Sequence, residues 1–199
     1  MSSPRLRRIS ADYQAIRAEF SGHPYVTVQP VGPPPPEVYR IEFRLKGLVL
    51  QGQQPVVSER HLVELVLPLS YPREQPLIRP LTPVFHPNVN DDHYCLTDYW
   101  SAGETLADIV AKIGDIIQWR TYNVHSPLNA TAALWARESE RYLPIGNVEL
   151  RQAEVEIKLI DGGAASQSPQ LGLAGGADKP QTVSQLPAAE TPATDGSTT

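Results

Sequence analysis

The 199-residue chain has one cysteine, Cys95, seven positions after Asn88 and nine after His86. It lies in PVFHPNVNDDHYCL (83–96), where the triplet His86-Pro87-Asn88 precedes the thiol. Cysteine is the strongest common side-chain nucleophile near neutral pH once part of it is thiolate. A single thiol forms no internal disulfide and offers no paired-cysteine metal site. It also reads as a small apolar side chain, because free cysteines are often simply buried. His86 invites an acid–base pairing with Cys95, but a histidine before proline in a rigid turn more often fixes the turn by hydrogen bonds. Asn88 is of the residue type that bonds to backbone in turns.

These residues need elements to position them. Leu6, Ile9, Tyr13, Ile16 and Phe20 recur at helical spacing, with Ser3 as N-cap, Pro4 at the first helical position and Gly22 as a stop. Arg5, Arg7, Arg8 and Arg17 fall largely elsewhere around that helix, either as a solvated face or as a docking surface for an acidic partner. The stretches 25–31, 38–45 and 61–69 read as strands joined by short connections, which fits an antiparallel meander. Residues 68–87 hold six prolines and many apolar side chains, so an extended, rigid segment wrapped over the core is expected. Ser101 and Glu104 form a capping-box pattern ahead of a helix carrying Leu106, Ile109, Val110, Ile113, Ile116 and Ile117. A further helix is expected from Ser126 as N-cap and Pro127, with Leu128, Ala132, Trp135 and Tyr142 inward. The predicted fold class is α+β. Residues 146–161 read as a strand or helix extension, and 162–199 as a disordered tail too poor in apolar residues to offset its chain entropy.

Composition narrows the function. A net charge of −5, from 17 basic and 22 acidic side chains, argues against a broad nucleic-acid-binding surface. The basic start MSSPRLRRIS is not followed by the apolar run of a secretory signal. LVELVLPL (62–69) is too short to cross a bilayer. A cytoplasmic protein without metal, cofactor or membrane partner is expected.

The order YP-x3-P (71–76), P-x-FHPN (83–88), Cys-Leu (95–96), Trp-Ser (100–101), Thr-Leu (105–106) and SPLNATAA (126–133) resembles the ubiquitin-conjugating enzyme family. The likeness spans about residues 4 to 143 and implies that family's fold over a catalytic domain of 1–145: an N-terminal helix, a four-stranded antiparallel meander, then C-terminal helices. It implies that Cys95 accepts ubiquitin or a ubiquitin-like protein from an activating enzyme as a thioester, then loses it to an amine, usually a lysine. Both steps pass through a tetrahedral oxyanion, which calls for a hydrogen-bond donor. In the family the HPN asparagine either faces that oxyanion or orders the loop, and the position here is Asn88. The family histidine, here His86, is considered structural.

Ser126 matches a position where the family has an acidic or serine residue that helps to place the attacking lysine and lower its amine pKa; it equally suits an N-cap. Tyr122, Asn123 and His125 share its loop and shape the amine's approach. His93 is either exposed and inert or tunes the thiol, and Tyr94 packs beside the loop. Several features depart from the family pattern. The HPN-to-Cys interval is one residue short, Asp91-Asp92 replaces the usual glycine turn, and Thr97 with Asp98 stands where an aspartate is common. The whole is most like divergent bacterial members, which accompany their own activating enzyme and ubiquitin-like protein. The implied partners are that modifier, the activating enzyme, and a target protein or ligase, with Arg5, Arg7 and Arg8 as candidate partner contacts. Two other readings compete: a non-catalytic module of the same fold that binds a ubiquitin-like protein, and a cysteine hydrolase pairing Cys95 with a histidine.

Overall fold

The computed structural model describes residues 2–96, 99–144 and 146–151. The first helix, α1 (Pro4–Phe20), starts where the Ser3 side chain accepts the Leu6 amide at 3.2 Å, with proline in the first turn. Its buried stripe is Ile9, Asp12, Ile16 and Phe20; Leu6, expected inward, is 41% exposed. The aspartate lies within the apolar face that the sequence pattern marks.

Four antiparallel strands form one sheet in the order β1 (Val26–Val31), β2 (Val38–Phe43), β5 (His61–Val66) and β6 (Leu77–Pro80). Between β2 and β5 the chain makes a separate hairpin, β3 (Gly47–Gln51) with β4 (Gln54–Ser58). That hairpin falls where GQQP reads only as a connection; Gly52, at φ 64°, supplies its tight turn. Tyr39, Ile41 and Phe43 of β2 and Val63 and Leu65 of β5 alternate inward and are fully buried. The proline-rich segment supplies β6, an edge strand that ends on Pro80, where a missing amide costs no central ladder bond.

α2 (Leu106–Ile117) buries Leu106, Ile109, Val110, Ile113, Ile116 and Ile117. Its capping box is not Ser101–Glu104. Thr105 is the N-cap: its hydroxyl accepts the Asp108 amide at 3.2 Å, and Asp108 accepts the Thr105 amide at 2.9 Å. Ser101 and Glu104 instead close a turn, and the Glu104 carboxylate pairs with Lys112. α3 (Ala130–Glu138) is likewise capped by Asn129, which accepts the Ala132 amide at 3.0 Å, and not by Ser126. Tyr142, expected inward, lies beyond the helix in a 3₁₀ turn (Glu140–Tyr142) and is 78% exposed.

The core does not stop at residue 145. Gln118 exchanges two hydrogen bonds with the Val148 backbone, both at 3.0 Å, and Leu150 is buried against Gly114 of α2. Residues 146–151 form neither strand nor helix, and the remainder of the extension and the 162–199 tail lie outside the described residues. Among the described residues no helix is long and apolar enough to cross a membrane.

Candidate active site

The HPN segment starts from a fixed point. The Phe85 amide donates to the Leu48 carbonyl of β3 at 2.7 Å. His86 is fully buried, and its Nδ1 accepts the Asn88 amide at 3.0 Å. That bond places the imidazole proton on Nε2, which faces the Thr121 backbone without a well-formed hydrogen bond. Burial lowers the His86 pKa to about 3, the Thr121 backbone opposing the shift only in part. Neither ring nitrogen is therefore open to take a proton from Cys95. Pro87 is buried, and its carbonyl accepts the Leu128 and Asn129 amides at 2.8 and 3.1 Å, which fastens the triplet to the start of α3.

Asn88 joins three strands of chain. Its carbonyl accepts the Cys95 amide at 2.8 Å. Its side-chain Nδ2 donates to the Cys95 carbonyl at 3.4 Å, and its Oδ1 accepts the Asn123 amide at 2.8 Å. The Asn123 carboxamide in turn accepts the His125 and Ser126 amides at 2.9 and 3.2 Å. A continuous run of neutral amide bonds thus leads from Cys95 through Asn88 to Asn123 and Ser126. The shortened bridge between Asn88 and Cys95 is closed by Asn90, whose side chain accepts the Asp92 and His93 amides. Asp91, Asp92 and His93 are exposed. Tyr94 is buried and donates its amide to the Ile78 carbonyl of β6 at 3.0 Å, so the loop docks on the sheet's edge immediately before Cys95.

Cys95 itself is half-buried. It opens into a shallow cleft of about 230 Å³ lined also by Asn88, Leu96, Ile116, Thr121, Tyr122 and Asn123. Those six companions carry no charge at neutral pH. Among the described residues no hydrogen bond joins an imidazole to the thiol. His93 and His125 are exposed. The cleft therefore presents a nucleophile with amide donors beside it and no assembled base.

Other expected site residues stand elsewhere. Ser126 is exposed, fixed through its backbone amide, one turn beyond the cleft-lining residues. Thr97 and Asp98 lie outside the described residues. Of the three arginines on α1, two are spent inside the fold. Arg8 donates to Asp12 at 2.6 Å, to the Tyr71 hydroxyl at 3.2 Å, and to the carbonyls of Ala102 and Glu104. Tyr71 donates to the same Asp12 oxygen at 2.6 Å. Arg5 pairs with Glu37 and donates to the Pro68 carbonyl. Only Arg7, exposed and bonded to the Ser2 carbonyl, keeps to α1's own start. The expected solvent-facing or docking role thus gives way, for Arg8, to a buried polar anchor: Asp12 is 3% exposed and needs a cation.

Sequence reasoning missed Trp119 under this site. It is the one non-glycine residue at positive φ among the described residues, at 61°, and is 1% exposed. Its indole meets His86 edge to face at 4.6 Å between ring centroids. Apolar spacing carries no signal for it, since helix-end signals look for glycine. No family model matches the chain.

Proposed function

We propose that the protein is a ubiquitin-conjugating-type acyl carrier, with a ubiquitin-conjugating-enzyme-like fold built on its helix, four-stranded antiparallel sheet, proline-rich segment and later helices. Cys95 attacks the thioester carbonyl at the C-terminus of ubiquitin or a ubiquitin-like protein held by an activating enzyme. A new C–S bond to Cys95 forms, the old C–S bond breaks, and the activating enzyme's sulfur leaves with the proton. In the second step a lysine amine attacks the Cys95 thioester, a C–N bond forms, and the Cys95 sulfur leaves and recovers a proton. Each tetrahedral oxyanion is stabilised by a neutral amide donor, for which Asn88 Nδ2 stands nearest.

One observation carries this reading: the Asn88 carboxamide ties the Cys95 loop to the Asn123 loop at the floor of an open, uncharged cleft. Transfer chemistry needs a thiol that a protein-borne thioester reaches, and it does not need a water-activating base. A hydrolase needs a base aligned on the thiol, and the locked ring of His86 gives no support to that alternative.

The test is a loading assay. Incubation with a matching activating enzyme, its ubiquitin-like protein and ATP should give an adduct that reducing agent removes. Cys95→Ala should give none, and Cys95→Ser an oxyester that survives reduction. No adduct on the unaltered protein, beside an activating enzyme that charges itself, would sink the proposal.

A further inference from the structure

α2 ends in a paired hydrogen-bond motif. The Trp119 amide donates to the Ile116 carbonyl at 3.0 Å, and the Arg120 amide to the Asp115 carbonyl at 2.9 Å. In this motif the residue in Trp119's place is left-handed and is usually glycine, which has no Cβ to clash. A tryptophan there is strained, and such strain persists only where the surroundings over-determine it. The indole gains no hydrogen bond in return, for its buried Nε1 has no partner. It gains rings instead: His86 at 4.6 Å, Trp135 at 5.7 Å and Tyr122 at 5.9 Å.

Two consequences converge on one side chain. The indole edge sets the plane of His86, and that ring's Nδ1 sets the Asn88 amide at 3.0 Å. The left-handed turn also redirects the chain so that Thr121, Tyr122 and Asn123 line the cleft, and the Asn123 amide reaches Asn88 Oδ1 at 2.8 Å. We propose that Trp119 is a positioning residue for Asn88, holding its backbone through His86 and its carboxamide through the Asn123 loop. The kinetic part of the test rests on the acyl-carrier reading; the exchange part does not.

The experiment compares Trp119→Leu, which fills space without an aromatic plane, with Trp119→Phe, which keeps one. Amide hydrogen exchange of the uncharged protein comes first. Trp119→Leu should raise exchange at the Asn88 and Asn123 amides by about tenfold or more, with the β2 and β5 amides unchanged. Trp119→Phe should restore most of the protection. Next, Cys95 is charged from the C-terminal mercaptoethanesulfonate thioester of ubiquitin and discharged to free lysine. Trp119→Leu should slow discharge about tenfold, and by less than about twofold when Asn88→Ala is already present, because both act through one group. Unchanged exchange at both amides, exchange raised equally across the sheet, or the same slowing in both backgrounds would overturn the proposal. If the unaltered protein takes up no thioester, the acyl-carrier reading fails instead, and the exchange result still decides the role of Trp119.

Discussion

The chain on the two sides of Cys95 is held by different physics. Before the cysteine, residues 86–95 hang on neutral amide bonds over an aromatic bed of His86, Trp119 and Trp135. After it, the 100–105 segment is pinned by charge: the Arg8 guanidinium bonds to two of its carbonyls while paired with the buried Asp12. Trp100 adds an indole bond to the Pro72 carbonyl at 2.8 Å. The difference teaches where each kind of anchor is tolerable. A buried ion pair is strong only as a complete set, and here it sits away from the cleft residues. Beside the nucleophile the anchors are uncharged, so donors face a developing oxyanion without a fixed charge to bias the thiol.

The largest expected effect breaks the charged side. Arg8→Ala leaves Asp12 buried without its cation and should cost about 3–5 kcal/mol, read by chemical denaturation. Replacing Arg8 and Asp12 together by methionine and leucine should recover much of that loss, because two buried charges vanish together. Recovery below about 1 kcal/mol would mean that Arg8 acts mainly through the carbonyls of Ala102 and Glu104.

The neutral side breaks differently, in chemistry before stability. Asn88→Asp keeps an oxygen to accept the Asn123 amide and removes the donor that faces the Cys95 carbonyl. Discharge to lysine should fall by about 10²–10³-fold while folding stability changes little, as expected when one oxyanion donor is lost. If Asn88 only braces the loop, the aspartate variant should brace it as well, and discharge should stay within about threefold. That ratio of discharge to stability separates the two roles open to this residue.

Legibility followed the same divide. α1 was readable because Ser3 and Pro4 announce its start, and β2 and β5 because a half-buried strand must alternate. The β3–β4 hairpin was not, since its side chains are partly exposed on both faces and Pro55 weakens the strand pattern. Arg8 was read as surface because apolar periodicity counts only apolar residues. The signal was there in Asp12, which shares the face of Ile9 and Ile16 with an arginine four positions before it. Cys95 and Asn88 stood out as residue types in a motif. Trp119 did not, because its part depends on a left-handed turn that its residue type disfavours.

The smallest effects sharpen what Ser126 does. Asn129, not Ser126, caps α3, so Asn129→Ala should cost about 1 kcal/mol in thermal or chemical unfolding. Ser126→Ala should cost less than about 0.5 kcal/mol, since the position is exposed and fixed by a backbone amide that alanine retains. With stability preserved, discharge in Ser126→Ala reports chemistry alone. A several-fold rise in the lysine concentration needed for half-maximal discharge, with thioester loading unchanged, would place the hydroxyl on the amine's path. An unchanged lysine dependence would leave that exposed turn without a part in the reaction and return the whole of amine positioning to the Asn88–Asn123 side of the cleft.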